Sequence, residues 1–205
     1  MEMLQPRYIS EEEYDEMEEI SNVKHEYFNG EVYAMSGGTN RHAVICTNVA
    51  AALHAALKGK PCRVVASEQR VKIEASGLQT YPDASVYCPD ARFAGKGDQM
   101  LLSPTVLIEV LSPSTETYDR GAKFIHYKRL PSLCDYVLVT QAYILVEHFH
   151  RHDAESWLLK TYNELEHKVW LDSIECEISL ADLYDGIELS NILPLHFSAR
   201  EDDEE

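Results

Sequence analysis

Two acidic residues stand where a carboxylate needs a reason. Asp83 follows proline in Tyr81-Pro82-Asp83, and Glu109 interrupts the apolar run Val106-Leu107-Ile108-Glu109-Val110-Leu111. An ionised carboxylate inside a buried strand costs several kcal/mol unless a cation or hydrogen-bond donors compensate it. Downstream, Asp119-Arg120-Gly121-Ala122-Lys123 offers an ammonium that a helix following the strand can swing back toward Glu109. Two carboxylates and one lysine suit metal-assisted hydrolysis of a phosphodiester. Mg²⁺ prefers oxygen ligands and keeps several waters, so Asp83 and Glu109 can hold it with a substrate phosphate, and Mn²⁺ fits the same donors. Each residue also has a plainer reading. Asp83 is equally a turn or strand-end acid, and Asp119 and Lys123, spaced i,i+4 with the acid first, form a common surface ion pair of helices.

The elements that would position these groups are written in the pattern of the chain. Ser10-Glu11-Glu12-Glu13 has the capping-box arrangement, which predicts a helix to about Ile20. Asn29-Gly30 between His25-Glu26-Tyr27-Phe28 and Glu31-Val32-Tyr33-Ala34-Met35 predicts a two-residue hairpin. From Asn40 to about Lys58, Ile45, Val49, Ala52, Leu53, Ala56 and Leu57 recur at helical spacing. Short β-rich runs follow at 63–66, 70–73, 84–88 and 106–111, with 91–103 expected as an exposed loop. A helix over 115–129 and strands at 135–140, 143–147 and 156–160 come next. A helix between the Glu109 strand and the Val137 strand is what a parallel crossover requires.

The fold class expected is therefore α/β (α+β), a mixed central sheet flanked by helices. Residues 1–199 would form one domain, and the acidic stretch 200–205 a disordered tail. No apolar run approaches the roughly 20 residues that span a bilayer. The first residues, Met1 to Arg7, lack the basic-then-apolar pattern of a secretory signal, which predicts a cytoplasmic address. Five scattered cysteines, Cys46, Cys62, Cys88, Cys134 and Cys176, form no C-x-x-C pair and are expected as reduced thiols. A formal charge of -17, or -12 without the five acids of the tail, excludes a protein that coats nucleic acid nonspecifically and leaves room only for a local basic groove.

The succession Glu26-Tyr27-Phe28-Asn29-Gly30-Glu31-Val32, His42, Tyr81-Pro82-Asp83, Ile108-Glu109-Val110-Leu111-Ser112-Pro113-Ser114-Thr115, Asp119-Arg120, Lys123 and Tyr127 resembles the Uma-two family of restriction-endonuclease-like proteins. That family lies within the PD-(D/E)XK nuclease superfamily. The resemblance runs from about Tyr8 to about Gly186 and implies a restriction-endonuclease-like mixed sheet, a divalent metal, cleavage of DNA and a homodimer able to cut two strands. Carried residue by residue, it makes Asp83 and Glu109 the metal ligands and adds Glu26 as a further acidic position. The superfamily lysine two residues after the second acid is absent, because Leu111 stands there, and Lys123 is the candidate replacement. An inactive nuclease fold kept as a binding or assembly module is the competing reading that Leu111 motivates.

Other residues carry weaker signals. His42, near the start of the long helix, can approach a phosphate or a metal-bound water, but reads first as a solvated side chain. His148, His150 and His152 alternate along an expected strand and would share a face, which raises a zinc site without an evident fourth ligand. Arg70 and Lys72 could meet phosphate or simply solubilise the surface, and Tyr127, one turn beyond Lys123, could line the site or the core.

Overall fold

A computed structural model describes residues 8–35 and 37–188. The acidic tail expected at 200–205 lies outside them. The first helix, α1 (Glu11–Ile20), starts on the expected capping box: Ser10 accepts from the Glu13 N–H and Glu13 reaches back to the Ser10 N–H. In the hairpin β1 (His25–Phe28) and β2 (Glu31–Ala34), Asn29 and Gly30 have φ of 49° and 86°. Two successive positive φ angles match the right-handed twist of the paired strands, and Asn-Gly adopts them at little cost. The long helix α2 (Asn40–Ala56) is capped by the Thr39 hydroxyl, which accepts from the His42 N–H, and it buries Ile45, Val49 and Leu53.

The following strands are β3 (Arg63–Ala66), β4 (Arg70–Ile73), β5 (Leu78–Thr80), β6 (Ala84–Tyr87), β7 (Phe93–Ala94), β8 (Met100–Leu101) and β9 (Val106–Leu111). The segment expected as an exposed loop at 91–103 thus contains a short hairpin, anchored because Met100 and Leu101 are buried. After β9 the chain forms a short α-helical turn α3 (Glu116–Tyr118), a π-helical turn over Asp119–Lys123, and α4 (Phe124–Tyr127). The remaining elements are β10 (Asp135–Thr140), β11 (Val146–Arg151), β12 (Trp157–Tyr162), β13 (Lys168–Leu171), β14 (Cys176–Ser179) and α5 (Leu180–Leu183). Residues 143–145, expected to begin a strand, lie in the turn into β11. There the Tyr184 hydroxyl accepts from the Leu145 N–H and donates toward the Thr140 and Leu145 carbonyls, satisfying backbone that a strand partner would otherwise take.

The protein is α+β, and its described residues form two six-stranded sheets, the two-stranded β13-β14 sheet and few helices. One sheet has the order β2-β1-β5-β4-β8-β7 and the other β12-β11-β10-β9-β6-β3. The second is antiparallel except for β9 and β10, which run parallel and are linked by the helical segment 116–127. Because side chains alternate along a strand, β9 and β10 feed two cores. Val106, Ile108, Val110, Val137 and Val139 face α2, α5 and the β13-β14 hairpin, whereas Leu107, Leu111, Tyr136 and Leu138 face the other sheet and α4. No helix among the described residues is long and apolar enough to cross a membrane.

The expectation of five reduced thiols is corrected at one pair. Cys62 precedes β3 and Cys88 follows β6, and the register Arg63↔Tyr87 sets them opposite each other with Cα atoms 4.0 Å apart, joined as a disulfide. The two cysteines are 26 residues apart in sequence and meet only through the pairing of β3 with β6, so their spacing does not announce the bond. Cys46, Cys134 and Cys176 are free.

Candidate active site

Glu109 sits at the centre of β9 on the face of Leu107 and Leu111, 4 % exposed. It has the partners that its burial demands. The Lys123 ammonium lies 2.8 Å from its Oε1, and the Tyr127 hydroxyl donates to the same oxygen at 2.7 Å. The π turn carries Lys123 inward, with Asp119 and Tyr127 one turn to either side, all three buried. Lys123 Nζ also lies 3.2 Å from Glu26 Oε1 and 3.4 Å from Asp119 Oδ1. Glu26, on β1, is held by the Thr80 hydroxyl of β5, which donates to it. The reading of Asp119 and Lys123 as a surface pair is therefore corrected: the spacing is right, but both side chains point into the protein.

Asp83 immediately precedes β6. The antiparallel register Ala84↔Ile108, continued by one residue, sets it opposite Glu109. Its Oδ2 accepts from the Val110 N–H at 2.8 Å and lies 3.4 Å from His42 Nε2. His42 in turn has Cys46 Sγ 3.4 Å from its Nδ1. The two acids share one feature. On each, the closest hydrogen bonds and ion pairs given by the described residues converge on one oxygen, Oδ2 of Asp83 and Oε1 of Glu109. Glu26, His42, Asp83, Glu109, Asp119 and Lys123 all line one cavity of about 790 Å³.

The charge balance of this cavity is negative. Burial above all pushes the Glu109 carboxyl up, to about 8, with Asp119 and Asp83 adding to the rise and Lys123 opposing it. Burial alone would lower Lys123, but Glu109, Tyr127, Glu26 and Asp119 hold it well above the ordinary lysine range. Asp119 is raised by burial against the pull of Lys123. Burial also pushes Asp83 upward, yet His42 and the Val110 N–H outweigh it and hold the carboxyl below its usual value. His42 is raised, first by its hydrogen bond to Asp83. One ammonium shared by several carboxylates leaves an excess of hard oxygen donors and negative charge. That donor set fits a divalent cation such as Mg²⁺.

The other sequence candidates lie elsewhere. Leu111 is buried in the apolar cluster with Tyr127 and Leu138. Arg70 is buried and pairs with Asp15 at 2.9 Å, and Lys72 pairs with Glu11, so both hold α1 in place of the phosphate contact considered for them. His148 and His150 share a face of β11, but His152 falls beyond its end and is exposed. Asp119 and Thr80 were missed as members of the site. The recurrence of Asp119, Lys123 and Tyr127 at four-residue spacing was the available signal for the first, and nothing local marked the second.

The chain matches the family model described as "Uma2: Putative restriction endonuclease" over residues 11–182. It belongs to the Uma2 family. Two uncharacterized proteins of Synechocystis sp. are similar to it: slr1290 is 37% identical over 179 residues, covering 87% of this chain and 93% of the relative, and sll1609 is 28% identical over 153 residues, covering 75% and 86%. The fold is similar to that of a putative nuclease of the DUF820 group from Anabaena variabilis, with a TM-score of 0.65 at 18% identity over 82% of this chain and 95% of that one. The Uma2 membership and the α+β fold agree with what the sequence motifs implied.

Proposed function

We propose that this Uma2 protein is a divalent-metal-dependent endonuclease that hydrolyses DNA phosphodiester bonds. The observation that carries the reading is the pairing of Asp83 and Glu109 across β6 and β9, each carboxylate held by the chain through one oxygen and lining the same cavity. Those two residues would hold Mg²⁺, with Mn²⁺ as a substitute, and the ion would supply charge stabilisation at the phosphate and a more acidic water.

The chain's own groups prepare the site. Tyr127 and Lys123 fix Oε1 of Glu109, and His42 with the Val110 N–H fixes Oδ2 of Asp83, so neither carboxylate must reorient during the reaction. Lys123 keeps its proton and stands as a fixed positive charge beside the phosphate, in the role that the superfamily lysine plays from the position occupied here by Leu111. Glu26, tied by Thr80, steadies that ammonium from β1. A homodimer would present two such cavities to the two strands of DNA. With a chain charge of -17, phosphate contacts are confined to this local region.

The test is nicking of supercoiled DNA by the purified protein with Mg²⁺ or Mn²⁺. Cleavage is expected, abolished by chelation and by Asp83→Ala or Glu109→Ala. Wild-type cutting by both variants rejects the assignment. Intact DNA with a metal-loaded wild type favours the binding or assembly module.

A further inference from the structure

On the opposite face of the same sheet lies a second cluster of ligating groups. Asp135 opens β10 on the face of Val137 and Val139, away from Glu109, and is fully buried. The register Asp135↔His150 places His150 directly across from it, and His148, two residues along β11, shares that face. His148 Nε2 lies 2.7 Å and His150 Nδ1 2.8 Å from the same oxygen, Asp135 Oδ1. The Ser173 hydroxyl, from the turn before β14, donates to the other oxygen.

We propose that Asp135, His148 and His150 form a binding site for a borderline transition-metal dication, Zn²⁺ by preference, separate from the nuclease cavity. Three observations support it. First, one carboxylate oxygen and two imidazole nitrogens, all within 4.8 Å of one another, make a three-ligand donor set of the kind zinc takes with a further water. Two nitrogen donors disfavour Mg²⁺ and Ca²⁺. Second, no Lys or Arg among the described residues pairs with this buried carboxylate, whereas Glu109 has Lys123. Third, access is one-sided. His148 is 2 % exposed, but the His150 side chain is 29 % exposed, which leaves a solvent path and an outer position for water.

The ligating atoms must separate by about half an ångström to admit an ion at zinc bond lengths of ~2.0–2.1 Å, a rotamer-scale adjustment. Ser173 holds the carboxylate in place from behind, as outer partners of metal ligands do. The bound ion would tie β10, β11 and the turn at 172–174 together, and its role is structural.

The test is calorimetric titration of the chelator-treated full chain with Zn²⁺, alongside Co²⁺ loading read by visible absorption, which reports nitrogen donors. Binding at micromolar zinc is expected in the wild type and in Asp83→Asn. It should weaken at least about tenfold in His150→Gln, which alters the half-exposed side of the site, and in Ser173→Ala. Thermal melts of the metal-free variants verify that they fold. Unweakened binding in a folded His150→Gln, loss of the site in Asp83→Asn, or no binding by the folded wild type overturns the proposal. The cluster is then a hydrogen-bonded network only. None of these outcomes depends on DNA cleavage, so the proposal stands or falls apart from the nuclease reading.

Discussion

The two faces of the central sheet carry buried acids of the same kind, compensated in different ways. On one face, Glu109 meets the ammonium of Lys123, a cation that belongs to the chain and is shared with Glu26 and Asp119. On the other, Asp135 meets two imidazoles and a hydroxyl among the described residues. In the first cluster Lys123 is held charged by its acidic neighbours, and the acids line a cavity of about 790 Å³. In the second the two imidazoles close on one carboxylate oxygen. A shared charge beside a cavity suits turnover; donors converging on one atom suit a static tie.

The sharpest separation between the clusters is in rate. Glu109→Gln should lower metal-dependent DNA cleavage by at least about 10³-fold, a barrier increase near 4 kcal/mol. His150→Gln should change it by less than about threefold. Equal losses in both variants, measured by plasmid nicking under one set of conditions, would erase the distinction.

Stability separates them next. Lys123→Met strands Glu109 and Asp119 without their cation, and breaking a buried pair from one side costs roughly 3–5 kcal/mol. Urea denaturation of the metal-free variant should show a loss of that order. A loss under about 1 kcal/mol would mean that the ammonium is not what holds these acids.

The pH dependence sharpens the same point. The folded Glu109 carboxyl, raised to about 8, keeps a proton that the unfolded chain releases from 4.5 upward. The unfolded state therefore binds fewer protons in that window, and metal-free stability falls as pH rises through it. Glu109→Gln should flatten the decline, and an unchanged slope would assign it to other groups. The smallest effect expected is that of Tyr127→Phe, which removes one hydrogen bond to the protonated Glu109 carboxyl and should cost about 0.5–1.5 kcal/mol, readable as a shift in the urea midpoint.

Much of the first cluster was legible before the fold. Glu109 announced itself because an acid in a six-residue apolar strand must have a partner, and Lys123 was a lysine that a crossover helix could return. The depth of Asp119 was not legible, because an i,i+4 pair reads identically on a surface and in a core, and here the π turn decides which face is inward. The second cluster was half visible. Alternating histidines reveal a shared face, but Asp135 joins them only through the pairing of β10 with β11, and His152 drops out because β11 ends at Arg151. The Cys62–Cys88 bond was hidden for the same reason, being set by the register of strands distant in sequence. Local capping and turn chemistry, as in Ser10–Glu13 and Asn29-Gly30, was readable because it depends on neighbours in the chain alone.

The central claim is that Asp83 and Glu109 together hold a divalent cation. Anomalous diffraction from crystals of the full chain soaked in Mn²⁺ tests it most directly. The account predicts a peak bonded to one oxygen of each carboxylate, at about 2.0–2.2 Å as for small octahedral dications. A peak at Asp135, His148 and His150 with none between Asp83 and Glu109 at millimolar Mn²⁺ would contradict it.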